Sequence, residues 1–160
     1  MLMGDSGRVV AEVLLREGTW FWVPLPGGKE AMGLISRVST DGLVAMGFFF
    51  GPFDQRGRVD QRPSAEAASL RARFATTKVR AGDWELFEVE QDWHRDEWPV
   101  PSFCSREATG TYIVRYDDDD LVTRTQAEVV DDGCGDVPTD GLLGPVAVER
   151  VLASYPTGKR

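Results

Sequence analysis

The sequence predicts a single-domain α+β fold built mainly on a twisted antiparallel sheet of about six strands. Two observations support this prediction. Residues 18–52 contain three runs rich in aromatic and aliphatic residues, and turn sequences at 26–29 and 40–42 separate these runs. Two segments, near residues 64–73 and 145–155, have the composition or spacing that is typical of helices.

The three apolar runs are predicted to form an antiparallel meander. Trp20 and Trp22 alternate with Phe21 and Val23, so both faces of the first strand are apolar and burial on both sides is expected. Pro24 cannot donate a hydrogen bond to a neighbouring strand, which places the end of this strand at a turn or at a sheet edge.

The predicted helices have distinct signals. Ser64 is a suitable N-cap for a short helix that extends to Arg73. Pro145 suits the first position of the closing helix, and an apolar stripe at helical spacing follows it: Val148, Val151, Leu152 and Tyr155. The run 8–17 also has apolar residues at helical spacing, although it would equally suit a leading strand.

The remaining strands are predicted at residues 74–80, 84–89, 111–116 and 121–125. The last two of these segments enclose four consecutive aspartates, Asp117–Asp120, and therefore predict a β-hairpin with an acidic loop. Residues 125–140 have the composition of a loop.

The length and composition favour one soluble domain with its core at about 18–130 and the closing helix added to it. The chain has 160 residues, of which 42% are hydrophobic. It contains no run of 18 uncharged apolar residues and no basic start followed by an apolar stretch, so neither a membrane span nor a secretion signal is predicted. A cytoplasmic location is expected, and Cys104 and Cys134 are expected to be free thiols.

Charge is unevenly distributed along the chain. The net charge is −8, and residues 83–136 contain 16 Asp and Glu against 4 Arg, a net charge of −12 for that segment. Because repulsion within such a segment costs stability, the acidic region favours a basic partner, although acidic surfaces also keep proteins soluble. A nucleic-acid partner is not expected, since contacts with phosphates need positive groups.

Residues that could carry out chemistry are few. His94 is the only histidine, and no nucleophile motif surrounds it or Cys104. A zinc site formed by His94, Cys104, Cys134 and an aspartate would need ligands from three separate loops. The run Asp117–Asp120 lacks the glycine and the terminal glutamate of a calcium-binding loop. No catalytic residue, metal or cofactor is therefore predicted.

Several short motifs occur in a distinctive order. Gly18 precedes the run Trp20-Phe21-Trp22-Val23-Pro24-Leu25-Pro26, and Gly28, Ala31, Gly33, Phe48-Phe49-Phe50, Gly82-Asp83-Trp84 and Pro99-Val100-Pro101-Ser102-Phe103 follow. This series resembles the immunity protein 26 family of bacterial polymorphic toxin systems over roughly residues 18–130. The resemblance implies a cytoplasmic protein that binds and neutralises a cognate toxin, with no catalytic or metal residues carried over.

The predicted function is therefore that of a non-enzymatic inhibitor whose acidic surface docks on a toxin and blocks its active site or substrate path. The predicted partner-binding residues are Asp92, Trp93, Asp96, Glu97 and Trp98 in an irregular segment, and Asp117, Asp118, Asp119 and Asp120 in the hairpin loop. Trp93 and Trp98 are the predicted aromatic anchors, although both also suit partial burial over the sheet. If the toxin is a nuclease, the aspartate run would mimic phosphates in its basic groove.

The alternative prediction is a regulatory domain that binds a small molecule or a peptide. Its pocket would be lined by Trp20, Trp22 and the strand Phe48–Phe50. Such a domain would bind its ligand without a protein partner.

Overall fold

The computed structural model describes residues 15–54, 56 and 62–157. Its strands are β1 (Thr19–Pro24), β2 (Glu30–Val38), β3 (Val44–Phe53), β4 (Leu70–Ala75), β5 (Leu86–Val89), β6 (Phe103–Glu107), β7 (Gly110–Tyr116), β8 (Arg124–Val129) and β9 (Leu142–Leu143). Its α-helices are α1 (Thr77–Ala81) and α2 (Pro145–Ala153), and short 3-10 turns lie at Pro26–Gly28, Ala65–Ala67 and Arg95–Glu97. Of the predicted segment 8–17, residues 8–14 lie outside the described ranges.

The strands form two sheets. The central sheet has six strands in the order β5-β1-β2-β3-β4-β9, and the second sheet has the order β6-β7-β8. The pair β4 and β9 is parallel, whereas the other described pairs are antiparallel. The predicted α+β class and the meander β1-β2-β3 are thus confirmed, and the central sheet is mixed.

The central sheet is buried on both faces, as the alternating aromatic residues predicted. Trp20 and Phe48 belong to a core cluster that the second sheet and residues 98–103 cover. Phe21 and Phe49 belong to a cluster on the other face, which is covered by α1, by Trp84 in the loop after α1, and by α2. The protein therefore has three layers: helices, central sheet and second sheet.

The helix predicted at 64–73 is wrong beyond its first turn. Ala65–Ala67 forms one 3-10 turn, and the chain enters β4 at Leu70. Pairing with β3 buries Ala72 and Phe74 at alternate positions. This burial outweighs the helix propensity of the segment, which contributes only a few tenths of a kcal/mol per residue.

Other boundaries also differ from the predictions. The strand predicted at 74–80 ends at Ala75, and α1 then continues to Ala81, where Gly82 closes it with a left-handed φ of 84°. The region 125–140, predicted as a loop, begins with the last residues of β8, which pair with β7. The hairpin around the aspartates is confirmed, although its second strand begins at Arg124 and not at residue 121, and the closing helix is confirmed over Pro145–Ala153.

Cys104 and Cys134 form a disulfide, so the prediction of free thiols is wrong. Cys104 lies in β6, and the chain after Cys134 runs alongside it. The N–H of Cys104 donates to the carbonyl oxygen of Pro138 at 2.7 Å, and the N–H of Asp140 donates to the carbonyl oxygen of Cys104 at 2.8 Å. This long-range pairing brings the two cysteine Cα atoms to 5.8 Å, a separation that the sequence spacing does not reveal.

One carboxylate fixes α2 to the rest of the helical layer. Glu149 Oε2 accepts hydrogen bonds from Lys78 Nζ at 2.8 Å and from Trp84 Nε1 at 2.9 Å. Trp84 is fully buried, so its indole N–H has no access to water. The bond to Glu149 therefore satisfies a donor that would otherwise be costly.

We expect Glu149→Ala to lower the free energy of unfolding by about 1–3 kcal/mol, because it leaves the Trp84 indole N–H unpaired. Glu149→Gln should cost less, since its amide oxygen can still accept. Urea denaturation measures both effects, and Glu128→Ala, an exposed position on β8, serves as the control. A Glu149→Ala variant as stable as the control would contradict this role.

Candidate partner-binding surface

Two separate acidic segments meet at Arg37, a residue of β2 that is only 3% exposed. Its Nη1 donates to the carbonyl oxygens of Ser36 at 2.7 Å and Trp98 at 3.2 Å, and its Nη2 donates to that of Arg95 at 3.3 Å. Its Nε lies 3.6 Å from Oδ2 of Asp118. Arg37 thereby connects the irregular segment 92–98 to the hairpin loop 117–120.

The charged guanidinium of Arg37 is almost completely buried, and its surroundings shift its pKa. Burial lowers the pKa of its guanidinium, as does the charge of Arg95, whereas Asp118 and Glu17 act in the opposite direction. A buried charge needs a counter-charge and hydrogen bonds to offset its lost hydration. Asp118 therefore has a structural role as the carboxylate that faces this arginine.

Arg37 was not among the predicted site residues, yet the sequence contains a signal for it. It is the one charged residue in the run 31–38, which is otherwise apolar apart from a serine. A charged residue inside a strand that is buried on both faces must find partners. The pattern could have singled out Arg37, although it could not have named the segments that it joins.

Trp98 anchors the irregular segment to the core. It is 9% exposed, and its ring meets Phe48 and Trp20 edge-on at centroid distances of 5.1 and 6.0 Å. Trp93 stacks on its outer side at 6.4 Å and is half-buried. Trp93 Nε1 donates to Oε1 of Glu17 at 2.9 Å, which fixes the orientation of its ring.

The backbone of Gly18 lies against the ring of Trp93. Its φ is +86°, a conformation that L-residues with a side chain rarely adopt, and a Cβ atom built on it would lie 3.3 Å from Trp93 Cδ2. Glycine at this position therefore lets the backbone approach the tryptophan ring closely.

The acidic side chains of the irregular segment are free. Asp92, Asp96 and Glu97 are exposed, and within residues 15–54, 56 and 62–157 their carboxylates make no hydrogen bond or ion pair. Their charges therefore remain available to a partner. Arg95, in the same segment, is instead paired with Glu17 at 3.1 Å.

The four aspartates of the hairpin loop have different roles. Asp117 Oδ1 accepts the backbone N–H groups of Asp119 and Asp120 at 2.8 and 3.0 Å. Asp120 accepts the N–H groups of Val122 and Thr123 at 2.8 and 2.9 Å, and the Thr123 hydroxyl at 2.6 Å. These bonds fold the loop on itself, and Asp119 is left as an exposed carboxylate without a side-chain contact in the described part of the chain.

We expect the hairpin loop to loosen in acid. The Thr123 hydroxyl, together with the Thr123 and Val122 amides, holds the pKa of Asp120 below its ordinary value of 3.8. A lowered pKa in the folded state means that the bonds stabilise the loop fully above the ordinary pKa, and that this stabilisation is lost as the pH falls through the lower folded value. An NMR titration of the Thr123 amide should follow this ionisation, and Asp120→Asn should abolish the response. An Asp120 carboxyl that titrates at its ordinary pKa would contradict it.

Cys104 and His94 do not form a thiol–imidazole pair in the described structure, because the sulfur of Cys104 is already bonded. Cys104 is in the disulfide and His94 is exposed in the irregular segment. Among the described residues, no group of three or more His, Cys, Asp or Glu side chains is arranged to hold a metal ion. No helix in these ranges is long and apolar enough to cross a membrane.

The aromatic pocket of the alternative prediction is filled by its own side chains. Trp20, Trp22 and the alternate residues of Phe48–Phe50 are between 0 and 5% exposed and pack on Trp98 and Phe87. A cleft of about 570 Å³ lies elsewhere, between β4, residues 136–140 and α2. In the described structure these aromatic side chains therefore fill the space that the alternative prediction assigned to a ligand.

The chain is similar to a known protein family over more than half of its length. No curated protein and no solved structure matches it. A family model described as Immunity protein 26 matches residues 16–112, a range that includes Arg37 and the segment 92–98 and ends within β7, before the hairpin loop. This range is more than half of the 160 residues. The chain therefore belongs to the immunity protein 26 family, as its motifs predicted.

Proposed function

We propose that this protein is a non-enzymatic immunity protein that binds the cognate toxin of a bacterial polymorphic toxin system and neutralises it stoichiometrically. Membership of the immunity protein 26 family supports the role of an immunity protein. The observation that carries the site is Arg37, because its bonds to residues 95–98 and to Asp118 unite two acidic segments into one surface. We name this surface, residues 92–98 and 117–120, the acidic surface.

The residues of the acidic surface divide into contacts and supports. Asp92, Asp96, Glu97 and Asp119 are exposed and supply negative potential, which speeds association with a basic partner. Trp93 is the aromatic anchor, because its half-exposed ring is held in place by stacking on Trp98 and by its hydrogen bond to Glu17. The supporting residues are Trp98, Asp117, Asp118 and Asp120.

The partner that fits this surface is a toxin with a basic groove at or beside its active site. Occupation of the groove by the carboxylates would exclude the substrate. A toxin that acts on nucleic acid would offer such a groove, since phosphate recognition requires Lys and Arg. We place this encounter in the cytoplasm of the producing cell, without nucleic acid or membrane as a partner.

A titration of the toxin's activity tests this function. The toxin is obtained as the protein that co-purifies with the tagged chain from its native cells and that stops the growth of cells expressing it alone. We expect co-expression of this chain to restore growth, and toxin activity to fall linearly to zero at one molar equivalent. Complete inactivation by a small fraction of an equivalent would indicate an enzyme, and growth arrest despite co-expression would exclude immunity.

A further inference from the structure

Residues 134–143 connect the second sheet to the central sheet. The disulfide attaches Cys134 to β6, and the backbone of Pro138 and Asp140 then pairs with Cys104 itself. The segment ends in β9, which pairs with Arg73 and Phe74 of β4. The disulfide therefore holds the start of a chain segment that joins both sheets.

This segment places the carboxylate of Asp140 beside Arg73 and Tyr116. Its carboxylate accepts the hydroxyl of Tyr116 at 2.7 and 2.9 Å and lies 3.2 Å from Arg73 Nη2 and 3.3 Å from Arg124 Nη2. Arg73 is 5% exposed, and its guanidinium lies 3.7 Å from the centroid of the Tyr116 ring. Asp140 is thus the counter-charge of a buried arginine, which would be costly to leave unpaired.

Arg73 in turn holds the base of the hairpin loop. Its Nη1 donates to the carbonyl oxygen of Leu121 at 2.8 Å. Leu121 is fully buried and has a φ of 62°, a conformation that a leucine keeps only when its surroundings impose it. One continuous series of contacts therefore runs from the disulfide through Asp140 and Arg73 to the loop that carries the aspartates.

We propose that the Cys104–Cys134 disulfide is a redox switch that sets how firmly loop 117–123 is held and, through it, the affinity of the acidic surface for its toxin. The effect on toxin affinity rests on the proposed function, whereas the effect on the loop does not. The oxidised protein is the form with the ordered loop and the higher affinity. In the reduced protein the segment 134–140 keeps its backbone hydrogen bonds to Cys104 but loses its covalent attachment to β6, so it opens more often and Asp140 holds Arg73 and Leu121 less firmly.

The reductant is a dithiol. Its thiolate attacks Cys134, the half-buried sulfur, since Cys104 is only 2% exposed, and a mixed disulfide forms as the Cys104–Cys134 bond breaks. The second thiol of the reductant then displaces Cys134. Two electrons and two protons pass to the cysteines, and the dithiol leaves as a disulfide.

Hydrogen exchange of the full chain, without toxin, tests the switch. We expect the amides of residues 117–123 to exchange at least tenfold faster after reduction with dithiothreitol, while those of β1, β2 and β3 keep their rates. The double variant Cys104→Ser/Cys134→Ser should show the fast rates without reductant. Asp140→Asn should also show them with its disulfide intact, because it removes the counter-charge of Arg73.

Equal loop exchange in the oxidised and reduced proteins would overturn the proposal, as would two titratable thiols in protein purified without reductant. Faster exchange throughout β1–β3 would overturn it as well, since the bond would then stabilise the whole fold. A loop that responds while the toxin affinity of both forms is equal would overturn the regulatory step. Absence of toxin binding in either form would count against the proposed function, whereas the exchange rates test the loop independently.

Discussion

Arg37→Met is expected to lower the free energy of unfolding by about 2–4 kcal/mol and to weaken toxin binding at least about tenfold. Methionine keeps much of the side-chain volume but cannot donate. The carbonyl oxygens of Ser36 and Trp98 then lose their partner inside the protein, and Asp118 loses its counter-charge. Both segments of the acidic surface should loosen together, since Arg37 contacts both.

Two further variants give this prediction its controls. Arg150→Met makes the same change at an exposed position of α2 whose side chain makes no hydrogen bond or ion pair with the described residues, so its effect should stay within about 0.5 kcal/mol. Arg37→Lys keeps the charge but cannot reach three carbonyl oxygens, and should fall between the wild type and Arg37→Met. Urea denaturation gives the stabilities, and calorimetry at a temperature where all variants are folded gives the affinities. An Arg37→Met protein that behaves like Arg150→Met would refute the linking role.

Gly33→Ala is expected to cost about 3 kcal/mol or more, the upper range for overpacking a core. A Cβ atom on Gly33 would lie 2.3 Å from Cζ of Phe21, far inside van der Waals contact. The ring of Phe21 cannot move away, because it stacks on Trp84 at 5.6 Å and meets Phe49 edge-on at 5.9 Å. The substitution must therefore displace a strand or disrupt the aromatic cluster.

Gly144→Ala is the matched control for this effect. Gly144 has a φ of −72°, and a Cβ atom there would meet nothing within 4 Å, so the change should cost less than about 1 kcal/mol. The double variant Gly33→Ala/Phe21→Leu should recover part of the loss, because leucine leaves space for the new methyl group. Thermal unfolding measures all three proteins, and a Gly33→Ala midpoint equal to that of Gly144→Ala would show that the cluster is not rigidly packed.

The elements that could be predicted from the sequence are those with strong periodicity. The alternation of Trp20 and Trp22 with Phe21 and Val23 was sufficient to predict a strand buried on both faces, and the stripe that ends at Tyr155 was sufficient to predict the closing helix. The segment 64–73 was mispredicted because its alanines and arginines favour a helix locally, whereas pairing with β3 decides its structure.

The charge pattern predicted both segments of the proposed acidic surface but could not show that they meet. Their contact depends on Arg37, which is 58 residues from Arg95 in sequence. The disulfide has the same origin, since Cys104 and Cys134 approach only because residues 138–140 pair with β6. Long-range pairings of this kind depend on the topology of the folded chain, so local composition does not predict them.

The most direct test of the acidic surface compares two variants that lose the same charge. The first is Asp92→Asn/Asp96→Asn/Glu97→Gln/Asp119→Asn, which neutralises the exposed carboxylates of the acidic surface. The second is Asp83→Asn/Glu128→Gln/Asp131→Asn/Asp132→Asn, which neutralises four exposed carboxylates outside it. Toxin affinity is measured by calorimetry at low and at high salt.

We expect the first variant to bind the toxin at least about tenfold more weakly at low salt and to show a flatter salt dependence, whereas the second should bind nearly as the wild type does. An equal loss in both variants would mean that net charge alone governs binding. Unchanged affinity in the first variant would contradict the claim that this surface meets the toxin.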